Sequence, residues 1–103
     1  MLSPEGWEKK EVDAFLKKLG PDRVWFFKPY MAGRGKSGVP DYCLCIDGAF
    51  WALEIKRPGK EPTVLQDKRI REIRQSGGKC AAGTAEVVIQ AMTDWLAVRG
   101  IVV

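Results

Sequence analysis

Asp41-Tyr42-Cys43-Leu44-Cys45-Ile46-Asp47-Gly48-Ala49-Phe50-Trp51-Ala52-Leu53-Glu54-Ile55-Lys56 reads as two strands joined at Asp47-Gly48. An Asp-Gly pair between apolar runs is a strong hairpin signal, because the tight turn needs positive φ at both central residues. Closing the turn there sets Ile46 opposite Ala49, and counting outward sets Asp41 opposite Glu54. Alternation along a strand puts Asp41, Glu54 and Lys56 on one face. Facing Cβ atoms lie about 5 Å apart, and like charges at that separation repel. Two carboxylates so placed must raise a pKa, share a proton or hold a cation, and a hard divalent ion is the natural resolution.

The rest of the chain supplies a scaffold for this hairpin. Ser3-Pro4 opens a helix as N-cap and first residue; Val12, Phe15, Leu16 and Leu19 form its apolar face, and Gly20-Pro21 ends it. Arg23–Tyr30, rich in β-branched and aromatic residues, predicts a strand, followed by a glycine-rich loop over Met31–Gly38. Thr63-Val64-Leu65-Gln66 matches a capping box, opening a helix with Leu65, Ile70 and Ile73 inward and Gly77-Gly78 at its end. Lys79–Ala82 predicts a fourth strand, and Thr84 caps a last helix carrying Val88, Ala91, Met92 and Trp95. Ile101-Val102-Val103 either pairs on a sheet edge or frays. The order is helix, three strands, helix, strand, helix: an α/β fold with a small mixed sheet flanked by helices.

Length and composition narrow the function. The 103 residues suit one domain, 1–103, and 46% hydrophobic with 29% charged residues suits a soluble globular protein. No apolar run approaches the roughly 18 residues of a membrane span. The N-terminus lacks signal-peptide features, and three cysteines without disulfide spacing favour a reducing, cytoplasmic setting. With no histidine, the cysteines cannot complete a structural zinc site and read as buried small hydrophobes. A net charge of +4 is compatible with an anionic partner such as nucleic acid.

Phosphodiester hydrolysis requires an activated water and neutralisation of charge on the phosphoryl oxygens, both of which bound Mg²⁺ can provide. One or two carboxylates plus substrate oxygens suffice to hold it. Asp41 and Glu54 meet that requirement, the Ile55 carbonyl is a further possible ligand, and Lys56 points into the same site as positioner of water and electrostatic stabiliser. Lys68, Arg69, Arg71 and Arg74 read equally as a solvated helix face or a phosphate-tracking stripe. Arg34, Lys36 and Lys60 flank the proposed metal site. The four tryptophans show no base-stacking pattern and read as core or interface.

Gly38-Val39-Pro40-Asp41, Glu54-Ile55-Lys56 and Gln66 in this order resemble the VRR-Nuc family of the PD-(D/E)xK nuclease superfamily, most closely its small stand-alone bacteriophage members. The resemblance runs from Ser3 to about Gly78, including Ser3-Pro4-Glu5-Gly6, Gly35-Lys36-Ser37-Gly38 and Lys60-Glu61-Pro62-Thr63. It implies a restriction-endonuclease-like αβββαβ core and a nuclease using Mg²⁺ or Mn²⁺. Asp41, Glu54, Lys56 and Gln66 would be catalytic, and Glu5, or Glu8 in its place, would be the first-helix metal ligand. Ser37 would join Arg34, Lys36, Lys60, Lys68, Arg69 and Arg71 on the nucleic acid. It further implies a homodimer cutting branched DNA such as four-way (Holliday) junctions, in the host cytoplasm if phage-encoded. The final helix and Trp95 are candidates for the dimer surface.

Overall fold

The computed structural model describes residues 1–30 and 35–103, so Arg34 and half of the predicted Met31–Gly38 loop lie outside the described residues. Elements follow the order α1 (Pro4–Leu19), β1 (Val24–Phe27), β2 (Tyr42–Ile46), β3 (Ala49–Ile55), α2 (Val64–Gln75), β4 (Lys79–Gly83) and α3 (Ala85–Val98). This is the αβββαβ core with a C-terminal helix. The sheet order is β1-β2-β3-β4; β1, β2 and β3 are antiparallel neighbours, and β4 lies parallel to β3 after the α2 crossover.

The hairpin has the predicted register, with Ile46 paired to Ala49 and Tyr42 to Leu53. Asp47 and Gly48 take φ values of 47° and 83°, the double left-handed turn that Asp-Gly tolerates. Arg99, at the end of α3, donates to Asp47 Oδ2 at 2.8 Å and fixes that turn from outside.

Alternation then divides the sheet residues. Tyr42, Leu44, Ile46, Trp51, Leu53 and Ile55 face α1 and α3, where Val12 and Leu16 of α1 meet Ala85, Val88, Met92 and Leu96 of α3. Cys43, Cys45, Phe50, Ala52 and Glu54 point to the other face. There α2 lies over β3 and β4, with Ile70 buried and Ile73 beside Phe50 at Gly78.

Several sequence expectations need correction. β1 is shorter than Arg23–Tyr30, because Lys28 leaves the ladder for Asp13 of α1 and Pro29 has no N–H to give. Leu65 is 39% exposed rather than inward; its side chain covers Gly38, where a Cβ would sit 2.6 Å from Leu65 Cγ. Gly38, at φ 75°, is therefore required both by backbone and by space. Cys45 is exposed and Cys43 and Cys80 are half-buried, where all three were expected to be buried. Ile101 forms no strand: its N–H donates to Leu96 O, closing α3 around Gly100, which has φ 81°.

Candidate active site

Asp41 precedes β2 where that strand parts from β3, and its carboxylate continues the ladder by accepting the Ile55 N–H at 2.8 Å. A residue in a strand sends its N–H and C=O to the same side, so the Ile55 carbonyl also leaves β3 toward Asp41. Lys56 continues the opposite edge, its N–H donating to Gly83 O at 2.7 Å. Hairpin and crossover thus pin the two residues that follow Glu54.

Glu54 is only 2% exposed, and its Oε1 has no hydrogen-bond partner. Its other oxygen lies 3.7 Å from Lys56 Nζ, which is itself buried. Burial, reinforced by the Asp41 carboxylate and by Glu5, pushes the Glu54 pKa up to about 8 against the partial relief of Lys56. A buried carboxyl with one orphaned oxygen beside a second carboxylate is a site short of positive charge. The residues therefore fit a hard cation.

Glu5 and Glu8 have separate fates. Glu8 Oε1 accepts the Ala85 N–H at 2.9 Å and caps the first turn of α3. Glu5, in the first turn of α1, is near enough to add to the field on Glu54. Yet among the described residues no three acidic, cysteine or histidine side chains converge as a ready metal cluster, so Glu5 does not close with Asp41 and Glu54 into a preformed triad. The α1 group that reaches Asp41 is Lys9, with Nζ 3.4 Å from Oδ1.

Sequence reading missed Lys9 and the network beyond it. Tyr42, fully buried, donates its hydroxyl to Asp13 Oδ1 at 2.6 Å, and Lys28 Nζ lies 2.8 Å from Asp13 Oδ2 and 5.2 Å from the Tyr42 ring centre. Burial first, then the bond to Asp13, hold the Tyr42 hydroxyl far above its ordinary pKa. The signal available in sequence was the Glu5, Lys9, Asp13 spacing, which sets all three on one helical face.

Several other predicted residues have partners within the scaffold. Gln66 completes the capping box: its Oε1 accepts the Thr63 N–H at 2.9 Å, and Thr63 Oγ1 accepts from Gln66 N. Arg69 donates to Ser37 O at 2.8 Å and pairs with Glu72 at 2.9 Å, tying the Gly38 loop to α2. Arg69 Nε and the Ser37 carbonyl are thus committed to each other, while the Ser37 hydroxyl takes no part in that bond. Arg71 pairs with Asp67, and Arg74 donates to Cys80 O. Lys36, Lys60 and Lys68 are exposed, and their ammoniums have no hydrogen-bond or ion-pair partner among the described residues. Trp95, half-buried, packs edge-on against Trp51 at 5.7 Å, with Arg99 over it.

Among solved structures, the chain superimposes on one described as a VRR_NUC domain with a TM-score of 0.71, covering 86% of this chain and 97% of that one at 22% identity. The fold is that of a VRR_NUC domain. No family model and no curated protein matches the sequence. No helix among the described residues is long and apolar enough to cross a membrane.

Proposed function

We propose that this chain is a nuclease that hydrolyses DNA phosphodiester bonds with bound Mg²⁺ or Mn²⁺. The observation that carries the reading is the orphaned oxygen of buried Glu54 beside Asp41, an arrangement that costs stability unless a cation joins it. Asp41 and Glu54 would hold the ion, with the Ile55 carbonyl directed to the same side and Glu5 approaching from α1. When bound, the ion supplies Lewis-acid polarisation of the phosphate and lowers the pKa of water.

The chain's own groups do the positioning. Lys56, buried and tethered by its backbone to Gly83, presents an ammonium whose remaining protons orient water and face the developing phosphoryl charge. Asp41, anchored on the Ile55 N–H, keeps one oxygen for the ion, and release of its other contact frees Lys9 for the substrate. Lys36, Lys60 and Lys68 offer sequence-independent attraction to the backbone.

We extend the reading to a homodimer acting on branched DNA such as four-way junctions. Supporting it, Trp25 (67% exposed), Phe27 (48%) and Phe50 (48%) share one sheet face, which α2 covers only in part, and β1 is an edge strand. Paired subunits would present two sites to two arms.

The test is cleavage of labelled linear duplex and four-way junction DNA with Mg²⁺ or Mn²⁺. Asp41→Asn retains an acceptor for the Ile55 N–H while removing the charge, and Lys56→Met retains the buried stem while removing the ammonium. Each should lower cleavage by at least about a hundredfold while leaving DNA binding intact. Wild-type rates in either variant would refute the assignment; salt-sensitive binding without any cleavage by the parent protein would indicate a non-catalytic binding module.

A further inference from the structure

Beside Asp41 a cleft of about 270 Å³ opens between α1 and the segment after β1, lined by Lys9, Lys28, Pro29, Val39, Pro40, Asp41 and Tyr42. Its rim has a defined charge pattern. Lys9 and Lys28 contribute two ammoniums, Lys9 facing Asp41 at 3.4 Å and Lys28 facing Asp13 at 2.8 Å, and the other Asp41 oxygen accepts the Ile55 N–H.

The two lysines are held there rather than waving in solvent. Lys28 is fixed by Asp13 at 2.8 Å and by the face of the Tyr42 ring; an ammonium has three protons, so the Asp13 contact leaves two. Lys9 touches Asp41 only at 3.4 Å. Tyr42 spends its single proton on Asp13, so among the described lining residues the two ammoniums are the charged donors. Val39 and Pro40 add an apolar stretch to the lining.

We propose that this cleft seats a phosphodiester group of the polynucleotide backbone, between Lys9 and Lys28, next to the one presented to Asp41 and Glu54. The inference rests on the nuclease reading and deepens it: the bound strand runs from the hairpin end over Tyr42 toward the end of β1, and Lys9 and Lys28 fix its register. They are positioning residues.

The experiment measures binding without turnover. Fluorescence anisotropy of labelled duplex and junction DNA is recorded across a sodium chloride series with Ca²⁺ replacing Mg²⁺, for the parent and for Lys9→Gln, Lys28→Gln, Lys28→Arg and Lys18→Gln. Removing one phosphate-neutralising ammonium reduces the slope of log affinity against log salt by about 1. Lys9→Gln and Lys28→Gln should each show that reduction and weaker binding, Lys28→Arg should keep the slope, and Lys18→Gln, on the far side of α1, should match the parent. Parental slopes in both glutamine variants, in a protein that still cuts DNA, would overturn the cleft alone. Failure of the parent to bind or cut any DNA would overturn the cleft and the nuclease reading together. Competition by low-millimolar inorganic phosphate would assign the cleft to a free anion and also overturn it.

Discussion

Glu54 carries the clearest energetic signature of a site built for something other than stability. Its pKa in the fold is about 8 against an ordinary 4.5, so over that interval the folded chain holds a proton that the unfolded chain releases. The unfolded state then binds fewer protons, and stability falls as pH rises from about 4.5 to about 8, a trend opposite to that of a salt-bridged carboxylate. Glu54→Gln should remove the penalty, making the metal-free variant more stable than the parent at pH 8, by on the order of a few kcal/mol at most, with little gain near pH 4.5. Urea denaturation at both pH values measures this. Added Mg²⁺ or Mn²⁺ should stabilise the parent and not the variant, since a ligand that binds only the native state shifts unfolding by mass action. Equal stability of the two proteins at both pH values would remove the charge deficit from the argument. The pairing of Asp41 with Glu54 and Lys56 was legible because a tight turn transmits register along a hairpin without help from elsewhere. The Lys9, Asp13, Lys28 and Tyr42 network was not, because its partners come from three separate elements whose packing no local rule fixes.

At the scale of the element, α2 shows how one residue type answers two questions. Gln66 occupies the position of a capping box, and its side-chain oxygen is taken by Thr63 N–H. Gln66→Ala should therefore lower stability by about 0.5–1 kcal/mol, and Thr63→Ala by about 1 kcal/mol, as the removal of caps does. Gln66→Glu keeps the reciprocal bonds and should be tolerated. Cleavage by Gln66→Ala, assayed where the variant is fully folded, should be unchanged; a large drop in rate would return Gln66 to the catalytic group. Thr63 and Gln66 were readable as a cap because capping depends on neighbours three residues apart. Arg69 was not readable as a brace, because its partner, the Ser37 carbonyl, is 32 residues away.

For the whole molecule, the distribution of exposed aromatics decides where assembly would occur. Trp95 is half-buried against Trp51, while Trp25, Phe27 and Phe50 are more exposed aromatics, on one face of the sheet. Sedimentation equilibrium should show a dimer for the parent, and Trp25→Lys with Phe50→Lys should shift it to monomer without loss of fold by circular dichroism; a monomeric parent would refute the pairing. By itself the sequence determined the order of the elements, the hairpin register and the shared face of Asp41, Glu54 and Lys56, because periodicity, caps and a tight turn act over a few residues. Only the tertiary structure decided that Glu8 caps α3, that Lys9 reaches Asp41, and that Lys28 and Tyr42 shape a cleft beside it. Those outcomes depend on which helix faces which strand, and that is settled by burying Val12, Leu16, Val88 and Met92 together against the sheet.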